Sequence, residues 1–272
     1  MTKHAEQRHA EQKHAEQKNN RKAKLLVVLT ILVLLVGVMG FAIYQFVSES
    51  IQLQKEQEKF GDLRDLIGED VYDDGSGGTL TRSKYDALFA MNSDMQGWLR
   101  INGTAIDYPV MKNDLENGEY YLHRDFDEEY SFAGCLFIGP NCDVNSDIFI
   151  IYGHNMKNGS MFACLTDFAD AGFANRHMEI SFDTKDERRV YRVFAAFAAN
   201  VYPDGEEYDE YFKYYRAIGK LSGEEYQDVL GQYRAMADLW TGDVPQYPDQ
   251  IMLMSTCFGD RERYVVAAYR IK

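Results

Sequence analysis

The sequence predicts a mainly β protein with a few helices, folded as a closed or nearly closed β-barrel behind an N-terminal apolar helix. After residue 79 the chain is a succession of short apolar runs separated by polar turns, which is typical of barrels. Residues 83–91 and 222–239 are predicted helices, and the second has a 3.6-residue apolar period. The roughly 190 residues after residue 79 suffice for one domain.

The N-terminal apolar helix is predicted from residues 25–44, which carry no charge and are rich in Leu, Val and Ile. About 20 helical residues rise roughly 30 Å, which matches a bilayer core. Basic residues are in excess before this span, so we expect a cytoplasmic N-terminus and an exported remainder. A cleaved signal peptide is the alternative, but the span is long for one and no clear A-x-A site follows.

Composition divides the chain into four parts. Residues 1–24 form a cytoplasmic basic tail, whose three His-containing repeats we interpret as solvated rather than metal-binding. Residues 25–46 form the transmembrane signal anchor. Residues 47–78 form an extracytoplasmic helical stalk and a flexible, glycine-rich joint, and residues 79–272 form the folded domain.

The folded domain contains eight predicted strands and the two helices. Ser222 followed by Glu225 predicts a capping box at the start of the second helix. The predicted strands cover residues 97–101, 106–110, 134–138, 147–152, 178–182, 190–198, 251–254 and 264–271.

The charge balance excludes one class of partner. The formal net charge is −14, and the seven basic and three acidic residues before Leu25 leave the remainder near −18. Nucleic-acid binding needs a basic surface, so we expect none here. An acidic surface is compatible with a basic substrate segment, although solubility explains it as well.

The chain has four cysteines, and their spacing fits no zinc or CxxC pattern. Cys135 and Cys164 lie among apolar residues and are predicted to be core residues, whereas Cys142 is predicted to lie in a loop. Export permits disulfides, so a bridge between Cys135 and Cys142 is left open. Cys257 alone is followed closely by a polar turn and a cation.

Three reactive side chains stand at the tips of predicted strands. Cys257 ends one apolar run, Arg263 begins the next, and His154 follows the run at 148–152. Each alone has a plain structural explanation, but together they are candidates for a nucleophile, an acid–base group and an oxyanion clamp. Arg261 is the alternative cation, because strand alternation would point it the same way as Arg263.

Several segments in order resemble a sortase, specifically of class B. The His154 and Cys257 segments, the Arg263 segment and the helix before the cysteine strand all resemble that class. The resembling segments are 92–99 (NSDMQGWL), 104–110 (TAIDYPV), 120–122 (YYL), 151–156 (IYGHNM), 159–162 (GSMF), 255–257 (STC) and 263–266 (RYVV).

The resemblance implies an eight-stranded sortase-type barrel, an N-terminal helical region and a helix inserted before the cysteine strand. It also implies that His154, Cys257 and Arg263 are catalytic and that Ser255 and Thr256 contact substrate. No metal or cofactor is expected.

The implied reaction is cleavage of a C-terminal sorting signal after a threonine, through a Cys257 thioester. Transfer to an amine of a cell-wall peptidoglycan precursor would follow. The partners are then signal-bearing surface proteins, and the enzyme sits in the cell membrane with its catalytic domain outside. A pilin-polymerising sortase, a hydrolytic cysteine protease and a non-enzymatic binding domain are the alternatives.

Overall fold

The computed structural model describes residues 2–72, 80–202, 205, 208 and 210–272. The chain divides into two compact units, Met1–Lys55 and Glu56–Lys272. The predicted joint at residues 73–78 lies outside the described residues.

Residues 2–55 of helix α1 (Thr2–Asp65) belong to the first unit, and residues 56–65 belong to the second. Its segment Lys24–Asp65 contains a window with a mean hydropathy of 3.0, and the side chains of residues 24–52 are exposed. Among the described residues this is the one helix long and apolar enough to cross a membrane. The predicted helical stalk is continuous with it and ends earlier than expected, at Asp65 instead of about Asp70.

The second unit is a barrel of eight hydrogen-bonded strands, as predicted. Around the ring the order is β3-β4-β5-β6-β10-β11-β8-β7, and β7 pairs with β3 again. A two-stranded ribbon and a ninth strand lie outside the ring. The strands are β1 (Val71–Tyr72), β2 (Leu80–Arg82), β3 (Met95–Arg100), β4 (Asp107–Met111), β5 (Leu136–Ile138), β6 (Ile148–Tyr152), β7 (Glu179–Asp183), β8 (Arg188–Asn200), β9 (Ala237–Trp240), β10 (Ile251–Cys257) and β11 (Glu262–Arg270).

Strand β8 closes the ring because it is long enough to serve three partners. It pairs with β7 along its first part, with β9 along its later part, and with β11 on its other edge. Most neighbouring strands are antiparallel, but β4 with β5 and β6 with β10 are parallel. Closure leaves no free edge in the ring, which protects it from pairing with other chains.

The parallel pair β6 and β10 is buried along almost its whole length. Every residue of β6 before Tyr152 and every residue of β10 before Cys257 is buried. Strands buried on both faces have continuous apolar sequences, which explains the unbroken runs in the sequence. The burial of the two strands ends at Tyr152 and at Cys257.

Helix α4 (Gly223–Met236) has the predicted capping box, because the Ser222 side chain accepts from the Glu225 N–H and the Glu225 carboxylate accepts from the Ser222 N–H. The buried side chains of Tyr226, Val229, Leu230 and Tyr233 form its apolar face. The predicted extension to Leu239 is wrong, because residues 237–240 form β9 against β8.

Two shorter α-helices and three 3₁₀ helices complete the described part of the unit; the 3₁₀ helices are Leu115–Gly118, Tyr120–His123 and Ala163–Ala169. Helix α2 (Asp86–Met91) is shorter than the predicted 83–91, and helix α3 (Ala171–Arg176) was not predicted. The Asp170 carboxylate accepts a hydrogen bond from the Phe173 N–H and caps α3.

The four cysteines are free thiols, so no bridge joins Cys135 to Cys142. Cys135 is buried as predicted, whereas Cys164 is only partly buried. Cys142 lies in a loop, as predicted, but its side chain is buried.

Candidate active site

The ends of β6 and β10 bring the histidine and cysteine segments side by side. The parallel register places Ser255 beside Tyr152, so the next residues of both strands continue together. The Gly153 N–H donates to the Ser255 carbonyl at 3.2 Å, and the Thr256 hydroxyl donates to the Gly153 carbonyl at 2.8 Å. Gly153 must be glycine here, because a Cβ would overlap the Leu136 side chain. The two strand ends are therefore held in a fixed register just before His154 and Cys257.

Cys257 is exposed at the end of a strand whose other residues are buried. Its carbonyl oxygen accepts a hydrogen bond of 2.9 Å from the Asn155 side-chain amide. Its backbone is thus tied to the β6 end, while its thiol reaches the surface. An exposed thiol on a fixed backbone can act as a nucleophile.

His154 is half-buried beside this cysteine segment, and its ring is held by a backbone carbonyl. Its Nε2 lies 2.9 Å from the Leu122 carbonyl oxygen. A carbonyl only accepts, so Nε2 carries a hydrogen and Nδ1 is the nitrogen left for acid–base chemistry. The His154 backbone is fixed as well, because its carbonyl accepts from the Phe162 N–H at 2.9 Å.

The surroundings of His154 disfavour its charged form. Burial lowers the pKa of His154 below its ordinary value, and the neighbouring His123, with its ring centroid 5.2 Å away, lowers it further. The hydrogen bond to the Leu122 carbonyl acts in the opposite direction and raises this pKa. The imidazole is therefore mostly neutral near pH 7.

Arg263 lies directly across the β10–β11 ladder from Cys257. Its side chain is partly buried and lines the same groove as the thiol, and its Nη1 donates to the Glu262 carbonyl at 3.0 Å. Arg261 precedes β11, is exposed, and accepts through its backbone carbonyl from the Val201 N–H. In this hairpin Arg263 lies opposite Cys257 and Arg261 does not, a difference that the sequence alone left open.

Cys257, His154 and Arg263 all line one groove with a volume of about 460 Å³. Its walls come from β5 and the segments on either side of it, from the ends of β6 and β10, from the start of β11 and from the segment before α4. The other lining residues are Asn117, Glu119, Leu122, Phe137, Pro140, Asn141, Tyr152, Gly153, Val201, Tyr214, Tyr215, Arg216, Ser255 and Thr256.

The two residues predicted to contact substrate have buried hydroxyl groups with protein partners. The Ser255 hydroxyl lies 3.0 Å from the Tyr214 hydroxyl, and both side chains are 0% exposed. Thr256 is 1% exposed and bonds to the Gly153 carbonyl. Both residues line the groove wall, and their contact with substrate stays a prediction.

Tyr214 and Leu122 are site residues that the sequence did not identify. Burial raises the pKa of Tyr214 to about 12, so its phenol stays protonated and able to hydrogen bond. Leu122 acts through its carbonyl, for which side-chain identity gives no signal. In the described part of the chain no group of three or more His, Cys, Asp or Glu side chains could hold a metal ion.

Comparisons of the sequence with known proteins identify the family. The sortase domain model matches residues 99–271. Sortase B of Listeria monocytogenes is 29% identical over 198 residues, covering 68% of this chain and 77% of that protein.

Solved structures extend the likeness to three dimensions. A Bacillus anthracis sortase B in complex with AAEK1 has a TM-score of 0.68 at 24% identity, over 82% of this chain and 99% of the other. A Staphylococcus aureus sortase B–substrate complex has a TM-score of 0.61 at 25% identity, over 82% and 94%. The family match across most of the barrel, together with a thiol, an imidazole and a guanidinium in one groove, leads to one conclusion: the chain belongs to the sortase family of cysteine transpeptidases and is sortase B-like.

Proposed function

We propose that this chain is a class B sortase that cleaves the C-terminal sorting signal of exported proteins after a threonine. It then transfers the acyl group to an amine of a cell-wall peptidoglycan precursor. One observation carries the proposal: an exposed Cys257 thiol shares a groove with His154 and with an arginine directly opposite in the neighbouring strand.

In the first half-reaction the Cys257 thiolate attacks the threonine carbonyl carbon. Arg263 donates hydrogen bonds to the oxyanion that develops there. The C–N bond then breaks, a C–S thioester bond forms, and the His154 imidazolium gives its proton to the departing amine. Ser255 and Thr256 shape the groove wall that receives the signal.

In the second half-reaction the acceptor amine attacks the thioester carbon. A C–N bond forms as the C–S bond breaks, and the thiolate is regenerated. His154, now neutral, takes the proton from the attacking amine and returns to its charged form. The cycle is balanced without a metal, an oxidant or a cofactor.

The reactive pair is a minor species in this scheme. The thiolate reacts while His154 is charged, and the lowered pKa of His154 makes that charged form scarce near pH 7. The intrinsic nucleophilicity of the thiolate allows turnover from a small fraction.

The cellular setting of this proposal follows from helix α1. Residues 25–46 would anchor the protein in the cell membrane, with the basic tail of residues 1–24 in the cytoplasm. Residues 47–78 would form the stalk, and residues 79–272 the extracellular catalytic domain. Surface proteins bearing sorting signals and the precursor amine would meet the groove on that side.

The test incubates the full chain in detergent with a small library of sorting peptides and measures the mass of the thioester adduct. We expect an adduct on Cys257 in the wild type and none in Cys257→Ala. The Cys164→Ala variant is the matched control, because it removes a partly buried thiol outside the groove. Turnover retained in Cys257→Ala would contradict the proposal.

Added amines separate transfer from the alternatives. We expect a peptidoglycan-type amine to convert the adduct into an amide product and to suppress hydrolysis. Hydrolysis that ignores added amine would favour a cysteine protease, and selective use of a pilin lysine would favour pilin polymerisation.

A further inference from the structure

The loop of residues 121–135 supplies the carbonyl that holds His154. Within this loop the Tyr121 carbonyl accepts from the Cys135 N–H at 3.1 Å, and the His123 carbonyl accepts from the Ser131 N–H at 3.0 Å. Residues 120–123 form a 3₁₀ helix at the start of this loop. The Leu122 carbonyl oxygen, between these two, lies 2.9 Å from the His154 Nε2.

The returning limb of the loop packs directly on that carbonyl. Gly134 has a positive φ of 61°, and a Cβ there would overlap the Leu122 carbonyl oxygen. Its N–H donates to the Ser131 hydroxyl at 2.9 Å. A shift of the returning limb would therefore move or release the Leu122 carbonyl.

Glu56, near the end of helix α1, holds this limb by two consecutive backbone groups. One carboxylate oxygen accepts from the Phe132 N–H at 2.8 Å, and the other accepts from the Ala133 N–H at 3.1 Å. Glu56 is only 7% exposed. Hydrogen bonds to an ionised carboxylate are stronger than those between neutral groups, so this contact holds residues 132–133 in place.

Lys59 holds the tip of the same loop from the next turn of the helix. Its ammonium lies 2.6 Å from an Asp125 carboxylate oxygen and 2.9 Å from a Glu129 carboxylate oxygen. The other Asp125 oxygen accepts from the Asp127 and Glu129 N–H groups. Lys59 is partly exposed, so its contribution is the smaller of the two.

We propose that Glu56, with help from Lys59, is a positioning residue for catalysis: it fixes the 121–135 loop so that the Leu122 carbonyl orients the His154 ring. This inference rests on the proposed function for its effect on turnover. Its structural part, the orientation of His154, is independent of the substrate.

The test measures the titration of His154 in the full chain in detergent. Carbon-13-labelled histidine is followed by NMR against pH, and a His154→Gln variant assigns the signal. Charged or titratable groups beside His154 remain in every variant, so changes in its titration report its own geometry. These groups are His123, Glu119, Tyr152, Tyr214, Tyr215, Arg216, Cys257 and Arg263.

We expect Glu56→Gln and Glu56→Ala to lower the pKa of His154, because a loosened Leu122 hydrogen bond no longer raises it. We also expect kcat with a cleavable sorting peptide to fall about tenfold, with KM within about twofold. Lys59→Met should change both in the same direction and by less. If Glu56→Ala fails to fold, the near-isosteric Glu56→Gln and Lys59→Met carry the test.

Two controls separate positioning from charge and from general stability. Glu58→Gln removes a carboxylate at an exposed position of the same helix and should leave the His154 titration unchanged. Val229→Ala weakens helix α4 and should lower the Tm without moving that titration.

The outcomes are distinguishable. An unchanged His154 titration in Glu56→Gln would overturn the inference, whatever the Tm. A shifted titration in a chain that forms no thioester with any peptide would support the positioning role and count against the proposed function.

Discussion

The buried hydrogen bond between Tyr214 and Ser255 allows a quantitative test of how the groove wall is held. The two hydroxyl oxygens are 3.0 Å apart, and both side chains are fully buried. Removing one hydroxyl leaves the other unsatisfied, which costs about 1–3 kcal/mol, whereas removing both leaves no unsatisfied partner and costs less than the sum of the two single removals. We therefore expect Tyr214→Phe and Ser255→Ala each to lower the free energy of unfolding by about 2 kcal/mol.

The double variant Tyr214→Phe/Ser255→Ala should be more stable than the sum of the two losses implies. We expect a coupling energy of about 1–2 kcal/mol. For a unit of this size, 1 kcal/mol corresponds to roughly 2–4 °C in Tm. Each single variant should therefore melt about 6 °C below the wild type, and the double variant about 6–9 °C below it instead of the roughly 12 °C that the sum implies.

Thermal unfolding of the full chain in detergent, followed by near-ultraviolet circular dichroism, measures these shifts. Thr256→Val is a useful comparison, because it removes a separate buried hydrogen bond to the Gly153 carbonyl and should be additive with Tyr214→Phe. Strict additivity of the Tyr214 and Ser255 losses would refute the reasoning, since it would mean that water already satisfies both hydroxyls.

Three further predictions concern the site and the core. Replacing Arg263 with Lys should lower kcat/KM about a hundredfold, because an ammonium cannot present a planar pair of donors to the oxyanion. The control Arg261→Lys should change kcat/KM by less than about twofold. Equal losses in the two variants would contradict the assignment of Arg263. The acid limb of kcat/KM against pH should have its midpoint below pH 6.5, because the pKa of His154 is lowered. Below that pKa the imidazole is charged, and the next proton converts the Cys257 thiolate into the inactive thiol. A midpoint above pH 7 would argue against this protonation scheme. Tyr233→Phe should raise the Tm by about 3 °C, because the buried Tyr233 hydroxyl has no hydrogen-bond partner among the described residues; a lower Tm would reveal an ordered water at that hydroxyl.

The strands that carry the site were predictable because their signals are local. β6, β10 and β11 are unbroken apolar runs bounded by polar turns, and the structure places them within one to three residues of the predicted bounds. The capping box at Ser222 was predictable for the same reason, since its partners are three residues apart.

The errors arose where a distant partner decides the local structure. Residues 237–239 continue the apolar period of α4, yet they form β9 because the edge of β8 beyond β7 is open to them. The free edge of a strand is a property of the assembled sheet, and no local pattern reports it.

The sequence by itself determined the fold class, an apolar helix of membrane-spanning length, and the three candidate side chains at Cys257, His154 and Arg263. Those depend on runs of neighbouring residues, whose periodicity and chemistry are written along the chain. Only the tertiary structure showed that Arg263, and not Arg261, lies opposite Cys257, because that difference lies in the register of the hairpin. Only the tertiary structure also showed the hydrogen bond between Leu122 and His154 and the contact of Glu56 with the 121–135 loop. These contacts join segments that are far apart in sequence and that meet only when the barrel closes.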